Sequence, residues 1–251
     1  MTLPLRIAWL TTGRGPGSFG ALEYVLAAID GGLPVELGVV FVNREPGEAA
    51  ATDALMTFAE SRGVPVEAVS SVRFRKERGG ARSKPGEQLP AWRAEYDEEA
   101  AQRLGKYDFQ LGMMFGYMLI ATPALHERFT FLNDHPALPD GPIGTYQEVI
   151  LELMRAGATE SGCMMNLVTG DLDRGPAVSF CRFPTRDAAN ESLWQAAGTE
   201  PGEQSDLYAD LRARGIARER PFVVETLRAI AEGRLEVPPE VPLDLTDVVE
   251  G

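Results

Sequence analysis

"LRIAWLTTGRGPGSFGALEYVL", residues 5–26, decides the fold class. Its first eight residues form a nearly continuous apolar run, as in strands buried on both faces. Gly13, Gly15, Gly17 and Gly20 interrupt the run with a tight turn. Helical spacing follows in "ALEYVLAAIDGG", whose two closing glycines suit a helix C-terminus. "VELGVVFVN" (35–43), "EAAATDALMTFAESRG" (48–63) and "VPVEAVS" (64–70) continue as strand, helix, strand. Parallel neighbours need such crossovers, so the expected class is α/β: a Rossmann-like, mostly parallel sheet with helices on both faces.

Further along, "VRFRKERGGARSKPGEQLP" (72–90) breaks the pattern and is expected as a long loop. "AEYDEEAAQRLGKY" (94–107) predicts a helix, "DFQLGMMFGYML" (108–119) and "FTFLND" (129–134) buried strands, and "TYQEVILELMRAG" (145–157) a helix. "GCMMNLVTGDLDRGPAVSFCRFP" (162–184) predicts two strands joined by a turn at 169–176. One or two helices over 205–233 close the fold, and the acidic, proline-bearing tail 236–251 is expected to be loose. The expected organisation is one domain over 1–235.

The 251-residue chain carries 37 acidic and 24 basic residues, a formal charge of −13. Such a surface repels phosphate backbones, so nucleic-acid binding is not expected. No run approaches the ~20 apolar residues that span a bilayer. Cys163 and Cys181 have neither disulfide-framework nor zinc-site spacing and are expected as buried thiols. A soluble cytoplasmic protein, monomer or homodimer, is the expectation.

Gly15, Gly17 and Gly20 match G-x-G-x-x-G, and Arg44 after the second strand could meet a 2′-phosphate, as in an NADP-dependent reductase. The physics is broader: free N–H groups at a helix start attract any anion. A tight turn without a ligand remains the alternative.

In "FLNDHPALPD" (131–140), Asn133 and His135 are two apart and share one face of a strand end. Pro136 keeps His135 extended. An amide and an imidazole so held can donate to one developing oxyanion, or can simply cap a turn and pack. "TGDLDRGP" supplies Asp171 and Asp173, which can make turn hydrogen bonds; a carboxylate near an imidazole can also orient it and relay a proton.

"FLNDHPALP" followed about thirty residues later by "GCMMNLVTGDLDRGPAV" resembles the folate-dependent formyltransferase family, in its glycinamide ribonucleotide branch. That family pairs Asn-x-His-Pro with a later Leu-Asp-x-Gly-Pro turn. The resemblance covers roughly residues 5 to 185. It implies a formyltransferase fold with an acceptor half over about 5–125, a folate and catalytic half over about 126–190, and closing helices over 191–235. It implies Asn133, His135 and Asp173 as catalytic residues, with 10-formyltetrahydrofolate as co-substrate, an amine on a phosphorylated sugar as acceptor, and no metal. Gly13, Gly15, Gly17 and Ser18 would hold the acceptor phosphate. Gly116, Tyr117, Met118, Leu119, Val168, Gly170 and Asp171 would line the folate slot.

Departures from the family fall on acceptor recognition. Phe19 follows Ser18 where the family reads Gly-Ser-Asn, Leu119 replaces an arginine, and Asn166 replaces a second histidine. A glutamate that the branch uses for ribose has no clear counterpart near "IARERPF". A hydrolase of the same folate, a catalytically silent folate or nucleotide binder, and the reductase are the alternatives. A hydrolase would be expected to carry a further domain before Leu5, and a methionyl-tRNA formyltransferase a further basic domain. Arg73, Arg75, Lys76, Arg78, Arg82 and Lys84 cluster in one segment, either as a flap over an anionic ligand or as a solvated basic loop.

Overall fold

The computed structural model describes residues 3–83, 87–171, 173–198 and 202–251. The chain divides into two compact units, Met1–Asn133 with Val168–Gly175, and Asp134–Leu167 with Pro176–Gly251.

The first unit carries β1 (Leu5–Thr11), β2 (Val35–Val42), β3 (Val66–Ala68) and β4 (Leu111–Met114). It also holds the first three residues of β5 (Phe131–His135). These strands run parallel in the order β3-β2-β1-β4-β5. The connecting helices are α1 (Pro16–Asp30), α2 (Ala50–Ser61), α3 (Ser71–Glu77), α4 (Trp92–Leu104) and α5 (Pro123–His126). The chain winds outward from β1 through β2 to β3, then returns to the other side of β1 at β4. Ile7 to Leu10 are fully buried, as the apolar run requires of a central strand. Phe41, Tyr96, Leu104, Met114 and Phe131 share one hydrophobic cluster.

In the second unit are α6 (Tyr146–Ala156), β6 (Glu160–Leu167), β7 (Ala177–Pro184), α7 (Glu191–Ala196), α8 (Asp206–Ala231), β8 (Leu243–Asp244) and α9 (Thr246–Glu250). A capping box of Thr145 and Glu148 starts α6, and left-handed Gly157 ends it. β6 and β7 pair antiparallel with Cys163 opposite Cys181. Both cysteines are free thiols without exposed surface. Among the described residues, eight strands thus make an α/β fold of mostly parallel sheet.

Three segments differ from the sequence expectation. Residues 71–77, in and beside the expected loop, form α3, because Ser70 caps its first turn by accepting from Arg73 N. Within this basic segment Arg73 pairs with Glu45, Arg78 with Glu95 at 2.6 Å, and Arg75 donates to Gly80 O; Lys84 lies outside the described residues. β4 ends at Met114, well short of residue 119. The tail expected to be loose holds β8, which pairs with β7, and α9. Leu245 buries there and Arg218 of α8 pairs with Glu250, so a few apolar and charged contacts overcome the proline-rich composition. The helix over 205–233 is a single one, with Pro221 inside it. Among the described residues, no helix is long and apolar enough to cross a membrane.

Candidate active site

Winding reverses between β1 and β4, and open α/β sheets bind ligands beyond the carboxyl ends of strands at such a switch point. Two turns meet there. The first follows β1: Gly13 is left-handed at φ +67°, Gly15 is the N-cap of α1, and Gly17 and Ser18 lie in its first turn. No side chain caps this helix and no acidic residue occupies its first turn, so its leading N–H groups keep their attraction for an anion. Thr52 of α2 donates to the carbonyls of Thr12 and Gly13 and holds the turn from below.

The second turn follows β4. Gly116 is left-handed at φ +64°, and a Cβ there would stand 2.7 Å from Ser18 Oγ. Glycine takes this conformation without steric cost, and any larger residue would also require Ser18 Oγ to move aside. Thr12 ties the turns together: its N–H donates to Gly116 O at 3.0 Å and its Oγ1 accepts from Met118 N at 3.1 Å. Tyr117 is buried edge-on to Phe41, whereas Met118 is 65% exposed and Leu119 half-buried. Residues 118–120 therefore present a hydrocarbon ledge at the strand ends.

The ledge is fixed at its far end by α4. Arg93 Nη2 donates to Ile120 O at 2.5 Å and to Asp97 Oδ1 at 3.2 Å, and Asp97 Oδ2 accepts from Thr122 N at 2.7 Å. Burial pushes the Asp97 carboxyl above the usual range, against the opposing pull of the Arg93 guanidinium and the Thr122 N–H. Burial likewise raises the Tyr117 phenol.

The loop 168–175 belongs to the first unit as well. Val168 N donates to Phe131 O at 2.8 Å, which starts the loop alongside β5. Thr169 Oγ1 then accepts from Asp171 N at 3.3 Å, and Gly170 and Asp171 are exposed. Asp173 is the one non-glycine described residue with positive φ, +53°, a conformation that aspartate tolerates better than most residues. There its Oδ1 accepts from Asn133 Nδ2 at 3.2 Å. Asn133 and Asp173, forty residues apart, are thus brought together.

His135 belongs to the second unit and is 2% exposed. Its Nε2 lies 2.8 Å from Pro142 O. A carbonyl only accepts, so Nε2 carries the hydrogen, and in the neutral ring Nδ1 is the basic nitrogen. Asp134, between Asn133 and His135 on the strand, has an Oδ1 sealed from solvent with no hydrogen-bond partner. Burial pushes its carboxyl well up, and Glu219 and Cys181 add to this while Arg212 opposes it. Asn166, where a second histidine was expected by resemblance, is buried in β6.

Four contributors escaped the reading of the sequence: Thr12, Arg93, Asp97 and the Pro142 carbonyl. The i,i+4 spacing of Arg93 and Asp97 in "RAEYD" was the one available signal for the pair. Among the described residues, no group of three or more His, Cys, Asp or Glu side chains is placed to hold a metal ion.

The formyl transferase family model matches residues 23–192. The matched span contains Gly116, Asn133, His135 and Asp173 but begins after the glycine turn. Among solved structures, glycinamide ribonucleotide transformylase 1 from Symbiobacterium toebii is similar at 24% identity and a TM-score of 0.67, over 93% of this chain and 91% of that one. A phosphoribosylglycinamide formyltransferase from Coxiella burnetii is similar at 23% identity and 0.65, over 92% and 89%. Glycinamide ribonucleotide transformylase 1 from Geobacillus kaustophilus is similar at 23% and 0.63, over 91% and 99%. At these identities the likeness is one of fold. No curated protein matches the sequence.

Proposed function

The chain belongs to the formyl transferase family, and from that premise we propose that it moves a formyl group from 10-formyltetrahydrofolate to the amine of a phosphorylated sugar. Glycinamide ribonucleotide is the first acceptor to test. The observation that carries this reading is the Asn133–Asp173 contact, an amide and a carboxylate from remote segments fixed on each other by a left-handed aspartate.

Formyl transfer requires an amine to add to the formyl carbon, an oxyanion to be stabilised, and a proton to leave the attacking nitrogen for the departing one. Asn133 Nδ2 is assigned to the oxyanion, together with the His135 imidazole once its Nδ1 carries a proton; each such donor is worth roughly 100-fold or more in rate. Asp173 is assigned to orient and relay the proton, directly or through water. The ledge at 118–120, with Val168, is assigned to the flat face of the donor's ring. The capless start of α1, with Gly13, Gly15, Gly17 and Ser18, is assigned to the acceptor phosphate.

The experiment is a spectrophotometric assay of tetrahydrofolate release with a panel of phosphosugar amines and without any amine. Release only with one phosphorylated amine supports the transferase and names its acceptor. Amine-independent release assigns a hydrolase, and no release under any condition overturns the proposal.

A further inference from the structure

Arg93 and Asp97 lie one turn apart on α4 and neither has exposed surface. A buried ion pair is a poor way to gain stability, since desolvation cancels most of its attraction and apolar residues of like volume serve as well or better. This pair carries a further cost. Arg93 Nε and Nη1 are sealed from solvent without a hydrogen-bond partner. The guanidinium's faces find only partial compensation in the rings of Trp92, 5.1 Å away, and Tyr96, 5.6 Å away.

What the two charges do accomplish is specific. Each holds one backbone group of the segment after β4: Arg93 the carbonyl of Ile120, and Asp97 the N–H of Thr122. Thr12 holds Gly116 O and Met118 N at the other end. Between these anchors stand Met118, Leu119 and Ile120, the apolar stretch with exposed surface. Four hydrogen bonds therefore set the height and tilt of three residues whose side chains are apolar.

We propose that Arg93 and Asp97 are positioning residues for the formyl donor: by clamping Ile120 and Thr122 they hold the 118–120 ledge at the height the donor's ring packs against. This rests on the donor-site assignment above. It concerns affinity for the donor alone, because neither residue is placed to touch acceptor or reacting atoms.

The test is the double variant Arg93→Met/Asp97→Leu, which keeps side-chain volume while removing both charges. Expected are a Tm equal to or above that of the parent, a donor KM raised at least tenfold, and kcat at saturating donor and acceptor KM within about twofold. Hydrogen exchange at the Thr122 amide should accelerate at least tenfold, a local change that a general loosening would not confine to one loop. An unchanged donor KM alongside faster Thr122 exchange overturns the proposal, and so does an equal rise in both KM values. If the double variant does not fold, Asp97→Asn is read with the same measurements, and Arg93→Lys should restore part of the donor affinity lost in Arg93→Met. Should the parent transfer no formyl group to any amine, the functional assignment fails separately. Binding of 5-formyltetrahydrofolate to parent and variant, by equilibrium dialysis, then decides the clamp: weaker binding in the variant supports it, and no binding or equal binding overturns it.

Discussion

The segments 116–122 and 168–175 both belong to the first unit, and they are held in different ways. The first is anchored by the N–H and hydroxyl of Thr12, just after β1, and by two side chains of α4, all of them directed at its backbone, so that residues 118–120 are left to offer an apolar surface. The second starts on one backbone bond to Phe131 and turns through Asp173, whose own carboxylate is the group that makes the long-range contact. A loop fixed through its main chain supplies shape, whereas one fixed through a charged side chain supplies chemistry. Substitutions in the two should therefore separate binding from turnover.

The largest effect expected from that contrast is at Asp173. Asparagine tolerates the same left-handed backbone and can still meet Asn133, but it cannot take up a proton. Asp173→Asn is expected to lower kcat by about 100-fold or more with donor KM changed only a few-fold. A steady-state rate within tenfold of the parent would make 168–175 a second shape-giving loop and dissolve the distinction.

A smaller effect is expected at the ledge's glycine. Gly116→Val places a branched side chain at positive φ and against Ser18, at a cost of about 1–2 kcal/mol in conformation alone. It should raise the KM of donor and acceptor together, by around tenfold, because the two turns are pushed apart; kcat should hold. A fall in kcat with unchanged KM values, measured in the same assay, would place chemistry on this loop.

The smallest effect sharpens the contrast by serving as its control. Asp134 sits next to the proposed catalytic residues in sequence, yet its carboxyl points into the interior, where Glu219, Cys181 and Arg212 are the charged or titratable neighbours. Its folded-state proton affinity is raised, so the stability it contributes is complete below the ordinary aspartate range and is lost as pH rises toward the folded value. Asp134→Asn should leave turnover within twofold while adding about 1 kcal/mol of stability at pH 8, and less near pH 4. Chemical denaturation at both pH values checks this, and an unchanged or larger gain at pH 4 would reverse the sign argued here.

Much of this was legible before the coordinates. The apolar run 5–12, the glycines after it and the helical spacing from Ala21 specify a parallel α/β opening, because each reports a local periodicity. Asn133 and Asp173 were legible for another reason: their residue types and flanking prolines form two motifs whose combination is informative even though the segments are remote. What stayed hidden depends on bonds between remote side chains and backbone. Nothing in the sequence around Ile120 announces Arg93, and the early end of β4 follows from a left-handed Gly116 that the apolar run masks. The order of the tail is hidden because composition weighs prolines and acids but does not register that Leu245 and Glu250 find a cover and a counter-charge.

The facing thiols of Cys163 and Cys181 carry a practical corollary. Both are shut inside the second unit on neighbouring strands, so a sulfhydryl-labelling reagent added to the native protein should modify them only when β6 and β7 come open. The rate of that labelling is a clock for the opening of one half of the molecule, readable without any engineered probe.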